Sequence, residues 1–166
     1  MGRLTLYHGS NQLFNNVDLS KSKNNRDFGC GFYLTTLPEQ AAAWAENMYI
    51  RYGGKGRFVY EYSFEEDSAL SIKRYNGLSR EWLEMIKENR TKGGIQHKYD
   101  VVCGPVANDN TMRTIALYIA EIYTEEMALE RLRFFSANDQ VSLHTEEALK
   151  HLSFVRRIDN GNKVYL

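Results

Sequence analysis

Residues Asp27–Thr36 read DFGCGFYLTT, and the chain runs on directly into LPEQAAAWAENMYIRY, Leu37–Tyr52. Gly29 and Gly31 bracket a bend, and Phe32–Thr35 then predicts a short strand. On that strand the alternation puts Phe32 and Leu34 on one face and Tyr33 on the other. Pro38 suits a first helical turn, the alanines that follow favour helix, and GGKG at Gly53–Gly56 stops it. A strand therefore passes through a tight turn into an Ala-rich helix that carries one tryptophan, Trp44.

Working outward, Arg3–Tyr7 (RLTLY) alternates like a half-buried strand and ends at HGS. Between it and the DFG stretch lies NNVDLSKSKNNRD, Asn15–Asp27, a polar segment that reads as an exposed loop. Its length suits a segment that covers something, a lid or an acceptor-reading loop, as well as it suits a surface loop. Arg57–Phe64 alternates with period two, and Leu70–Tyr75 is a weaker strand. Ser79 is placed to cap a helix beginning REWLEMIKENR. Val101–Cys103 reads as a buried strand entering a Gly-Pro turn. Asn110 or Thr111 caps a long helical stretch broken near Thr124, and Gln140–Thr145 is a late strand that leads into a short helix, EEALKHL. The end of the chain forms two strands around Asn160 and Gly161, a hairpin signal. Strands and helices alternate without a regular βαβ rhythm, so the expected class is α+β with antiparallel pairing.

The chain has 166 residues, 43% of them hydrophobic, which suits a single domain over 1–166. Twenty-one basic residues balance twenty-one acidic ones, so no global field favours nucleic acid or an anionic membrane. A nucleic-acid role would need a local basic patch. Cys30 and Cys103 show no metal-ligand spacing; no metal is expected, and both read as small buried thiols. Without an apolar run of bilayer length or a leader, the expectation is a cytoplasmic protein with no membrane partner. GxxxxGK[ST], GxSxG and HExxH are absent, which removes the usual phosphate-loop, hydrolase and zinc readings.

Individually, the polar and aromatic residues have ordinary explanations. His8 in YHGS, Tyr7–Ser10, suits a strand edge, and Tyr33 and Trp44 suit a core. Gln140, Ser142 and His144 form a polar row on one face of a strand, the pattern of a solvent-facing side. Their order along the chain adds more. HGS closing the first strand, then G-x-G-x-Y, an aromatic eleven residues later and a polar residue opening a late strand together resemble the ADP-ribosyltransferase superfamily. The closer resemblance is to its His-Tyr-Glu branch, which includes poly(ADP-ribose) polymerases and diphtheria-type toxins. YHGS, DFGCGFYLTT with QAAAWA, YDVVCGPVAND and QVSLHTEEAL also resemble a bacterial family labelled as a domain of unknown function. That likeness runs from Leu6 to Leu152.

The resemblance implies a split pair of antiparallel sheets with flanking helices, holding NAD as substrate in the cleft between them. It implies that His8 bonds a ribose hydroxyl with Ser10 beside it, that the Gly9 backbone meets the nicotinamide carboxamide, and that Tyr33 and Trp44 flank the ring. ADP-ribose would pass to an unknown acceptor: protein, nucleic acid, small molecule or water. A toxin role follows from family analogy alone. Two positions depart from the pattern. Gln140 stands where active members carry glutamate, and Ala41 where many polymerases carry a serine that bonds the carboxamide. A neutral Gln140 supplies neither a base nor an anionic field. Either Asp27, Asp100 or Asp109 replaces the missing acid, or the domain is a weak or inactive module that binds NAD, ADP-ribose or a partner protein.

Overall fold

The computed structural model describes residues 2–107, 109–132, 139–159 and 163–165. Among these residues, eight strands and five α-helices run in the order β1 (Arg3–Ser10), β2 (Phe32–Leu34), α1 (Pro38–Tyr52), β3 (Phe58–Glu65), β4 (Ile72–Arg74), α2 (Arg80–Lys92), β5 (Val101–Pro105), α3 (Asp109–Ile119), α4 (Glu125–Leu132), β6 (Asp139–Leu143), α5 (Glu146–Leu149), β7 (Leu152–Asp159) and β8 (Lys163–Tyr165). They build an α+β fold of two four-stranded sheets, ordered β1-β3-β7-β8 and β2-β6-β5-β4. The expected antiparallel pairing holds throughout the first sheet. In the second, β4 runs parallel to β5, so that sheet is mixed.

Period-two alternation sorts the side chains between two cores. One lies between the sheets and takes Leu6, Phe32, Leu34, Val141, Leu143 and the inward residues of β3, namely Phe58, Tyr60, Tyr62 and Phe64. The other covers the far face of the second sheet, where Tyr33 and Val102 meet Trp82, Leu83 and Ile86 of α2, Ile115 and Tyr118 of α3, and Leu132 of α4. Ser79 caps α2 by accepting from the Trp82 N–H, as its position predicts. Trp82 in turn donates its indole N–H to the Pro105 carbonyl, 2.9 Å away. The long helical stretch divides between Ile119 and Glu125, where Glu121 takes a φ of 63°.

Two expectations change here. The row of Gln140, Ser142 and His144 does share one face of β6, but that face is buried under the second core; Ser142 has no exposure at all. Cys30 and Cys103 are half-buried free thiols; burial pushes the Cys103 pKa up to about 11. Among the described residues, no helix is long and apolar enough to cross a membrane. The tip of the hairpin at Asn160 and Gly161 lies outside the described residues, though its two strands pair antiparallel.

Helix α1 packs across β1 at Gly9, where a Cβ would stand 2.0 Å from the Ala41 carbonyl oxygen. Ala41 and Ala45 are fully buried in that contact. Gly9→Ala is therefore expected to lift α1 off the sheet and cost about 1–3 kcal/mol by overpacking against backbone, read as a lower urea midpoint. An unchanged midpoint would rule out the close contact.

Candidate functional site

The two sheets meet edge to edge through one bridge. Tyr7 N–H donates to the Thr35 carbonyl at 2.8 Å, and Thr35 N–H donates to the Tyr7 carbonyl at 2.9 Å. In an antiparallel ladder alternate residues turn their backbone groups to opposite sides. Since both Tyr7 groups point toward β2, those of Gly9 do as well, away from β3. By the register of the bridge, Gly9 would next bond Tyr33. Instead the imidazole of His8 intervenes: its Nδ1–H donates to the Tyr33 carbonyl at 2.7 Å. The strands splay at that point, and Gly9 presents an N–H and a C=O to the gap.

The gap opens into a cavity of about 790 Å³ whose walls include His8, Gly9, Ser10, Tyr33 and Trp44. Five of the six residues singled out by sequence thus converge. His8 stacks on Phe32 with ring centroids 4.1 Å apart, and Phe14 stacks on Tyr60 at 4.2 Å. The Tyr60 hydroxyl donates to the Gln12 carbonyl and accepts from Phe14 N–H, fixing the chain after HGS. Ser10 accepts from Gln12 N–H and keeps its own proton to donate. Because Nδ1 of His8 is committed to a carbonyl, the neutral ring leaves Nε2 as an acceptor. The polar segment Asn15–Asp27 forms one side of the cavity. With Arg51 from α1 it brings into the lining, among the described residues, four cations, Lys21, Lys23, Arg26 and Arg51, against one carboxylate, Asp18. That carboxylate caps a 3-10 turn, Leu19–Lys21, by accepting from Ser20. A chain with zero net charge thus concentrates positive charge in one concavity, suited to an anionic ligand.

Tyr33 is only 3% exposed. Its hydroxyl donates to the Gly29 carbonyl at 2.6 Å and accepts from Phe28 N–H at 2.9 Å, and burial raises its pKa. The Arg26 guanidinium lies 4.3 Å over the ring. Trp44 is half-buried on α1. Ala41, pressed against Gly9, is fully buried, so this position offers no contact to a ligand.

Gln140 does not join the cavity. Only 3% exposed, it donates through Nε2 to Asp27 Oδ2 and to the Pro105 carbonyl, both at 3.2 Å. It borders a separate cleft of about 270 Å³ with Arg74, Asn76 and Cys103. The reason is its strand: β6 lies between β2 and β5, and its polar face points to the helices. Asp27 is occupied as well, since Arg90 donates Nε to Oδ1 at 2.7 Å and forms an ion pair, and Ala107 N–H donates to Oδ2. Asp100 accepts from Ser71 N–H and the Thr145 hydroxyl. Two of the three acids proposed to replace the glutamate are therefore structural; the side chain of Asp109 lies outside the described residues.

Sequence reasoning missed the clamp on the DFGCG turn. Gly29 takes a φ of 92°, open to glycine, and three successive carbonyls each meet a side-chain donor: Phe28 from His97 Nε2–H, Gly29 from Tyr33, and Cys30 from His144 Nδ1–H. His144 Nε2 accepts from the Ser142 hydroxyl at 2.7 Å. Three of the four missed cavity cations, Lys21, Lys23 and Arg26, were visible in KSKNNR only as loop composition, and Arg51 only as a basic residue near the end of α1.

A family model described as "Protein of unknown function (DUF3990)" matches residues 4–154. No curated protein matches this chain significantly.

Burial pushes His8 and His144 down to about 4, with the charge of Arg26 adding to the effect at His8, and burial lowers His97 too. Between pH 6.5 and about 4 the unfolded chain takes up these protons while the folded chain does not. Stability should therefore be fully present above about pH 6.5 and fall as pH drops toward 4. Urea unfolding across pH 4–7 checks this, and His144→Gln should flatten the slope. Gln140→Glu sets a second carboxylate against Asp27 in place of a donor and should cost about 1–3 kcal/mol; a midpoint equal to wild type would contradict the Gln140–Asp27 contact.

Proposed function

The chain belongs to the DUF3990 family, whose description assigns no activity, and from that premise we propose that it is an ADP-ribosyltransferase-like protein that binds NAD in the cavity at the split between its sheets. The observation that carries this reading is the Gly9 backbone. Its adjacent N–H and C=O, left open where His8 takes the Tyr33 carbonyl, match the acceptor and donor of a primary carboxamide. Beside them, His8 Nε2 suits a ribose hydroxyl, and Lys21, Lys23, Arg26 and Arg51 suit a pyrophosphate. The volume lies in the usual range for a ligand of this class.

Transfer would break the bond between C1′ of the ribose and the nicotinamide nitrogen. The bonding pair leaves with the ring, which becomes neutral; a lone pair of the acceptor forms the new bond at C1′, and the acceptor's proton passes to solvent. The positive charge that develops on the ribose calls for anionic or dipolar support. Among the described residues that line the cavity only Asp18 is a carboxylate, and it already bonds Ser20. Together with Gln140 held by Asp27 and Pro105, this favours a second reading, a module that binds NAD or ADP-ribose with little or no turnover.

Calorimetry with NAD and chromatographic measurement of released nicotinamide separate the two. NAD should bind, and Trp44→Ala should weaken it roughly 2–30-fold, the loss of one ring contact to a cation. Steady nicotinamide release supports the transferase; binding without release supports the module. No heat of binding at millimolar NAD would overturn both.

A further inference from the structure

We propose that Arg26 gates the ring-binding face of this cavity. Its guanidinium rests 4.3 Å above Tyr33, on the surface that a cationic ligand ring would use, and it must leave before such a ring can stack. The inference rests on the NAD reading of the cavity.

Both residues line the cavity; Tyr33 is almost fully buried, and the Arg26 guanidinium lies over its ring. Tyr33 itself is fixed. Its hydroxyl holds Phe28 N–H and the Gly29 carbonyl, the Phe28 ring lies nearly parallel to it at 6.5 Å, and His144 meets it edge-on at 6.3 Å. The neighbour of Arg26 in the chain, Asp27, is also anchored, through Arg90, Ala107 and Gln140. What can move is the Arg26 side chain, half-buried at the end of the polar segment and paired with no carboxylate among the described residues.

A guanidinium and a pyridinium are both planar cations that prefer the face of an aromatic ring, so the two compete for Tyr33 and repel each other there. A ligand with a cationic ring must displace Arg26. Once the ring leaves as neutral nicotinamide, it has lost the charge that let it compete, and Arg26 returns to Tyr33. The gate therefore discriminates between the two charge states of the ring.

Two probes separate ring from phosphate: 1-methylnicotinamide, a cationic ring without phosphate, and ADP-ribose, which has the phosphates without the ring. Calorimetry on the full chain should show Arg26→Ala binding 1-methylnicotinamide about 2–30-fold tighter than wild type, with no gain for ADP-ribose. Arg26→Lys, which keeps the charge but loses the planar fork, should fall between them and guards against misfolding of the alanine variant. If Arg26→Ala binds 1-methylnicotinamide with equal or lower affinity while NAD and ADP-ribose still bind, the gate alone is overturned. Should neither probe nor NAD bind any of the three proteins, the NAD reading fails and takes the gate with it.

Discussion

The hydrogen bond from His8 to the Tyr33 carbonyl is the constraint on which the site depends. Two bonds between Tyr7 and Thr35 join the sheets, and a third and fourth at Gly9 and Tyr33 would have zipped them further. By taking the Tyr33 carbonyl with a side chain, His8 ends the zipper after one bridge. The strands then diverge, and the space between them becomes a cavity rather than a continuous sheet. The histidine is thereby committed in its tautomer, with Nδ1 spent on structure and Nε2 left for a ligand. Its low pKa, set by burial, keeps it a neutral acceptor at physiological pH.

Behind that opening, the wall is stiff. The DFGCG turn exposes successive carbonyls to a nonpolar interior, where each needs a donor. His97, Tyr33 and His144 supply them in order, which explains why a polar row on β6 is buried. His144 bonds the turn and is itself held by the Ser142 hydroxyl, while Gln140 secures Asp27 at its start. Asp139, just before Gln140, accepts from the hydroxyls of Thr35 and Thr36, and so fixes β6 against the turn into α1. Gln140, the catalytic candidate on a linear reading, serves here to anchor Asp27, while the turn itself fixes the Tyr33 hydroxyl.

Local signals in the chain carried most of the secondary structure. Pro38 and Gly53 bound α1, Ser79 caps α2, and alternation in Arg57–Phe64 marks β3, because caps, breakers and periodicity act within a few residues. The first strand extends through Ser10, beyond the alternating RLTLY, since HGS is held by pairing with Phe58–Tyr60 of β3, a partner that local pattern does not reveal. The parallel pairing of β4 with β5 was hidden for the same reason. In the site, His8, Gly9, Ser10, Tyr33 and Trp44 could be picked out by type and order, and they share one cavity. Gln140 could not be placed in this way.

Periodicity and residue chemistry alone fix the kinds of element, the inward and outward faces of β2 and β3, and the identity of His8, Gly9, Ser10, Tyr33 and Trp44 as candidates for one site. Long-range packing sets which face of β6 meets helices, that Gly9 serves helix packing on one side and an open backbone edge on the other, and that Arg26 lies over Tyr33. Each of these depends on contacts between segments far apart in the chain. A hydrogen bond or a cation above a ring requires two positions in space, and sequence spacing specifies only one dimension of that arrangement.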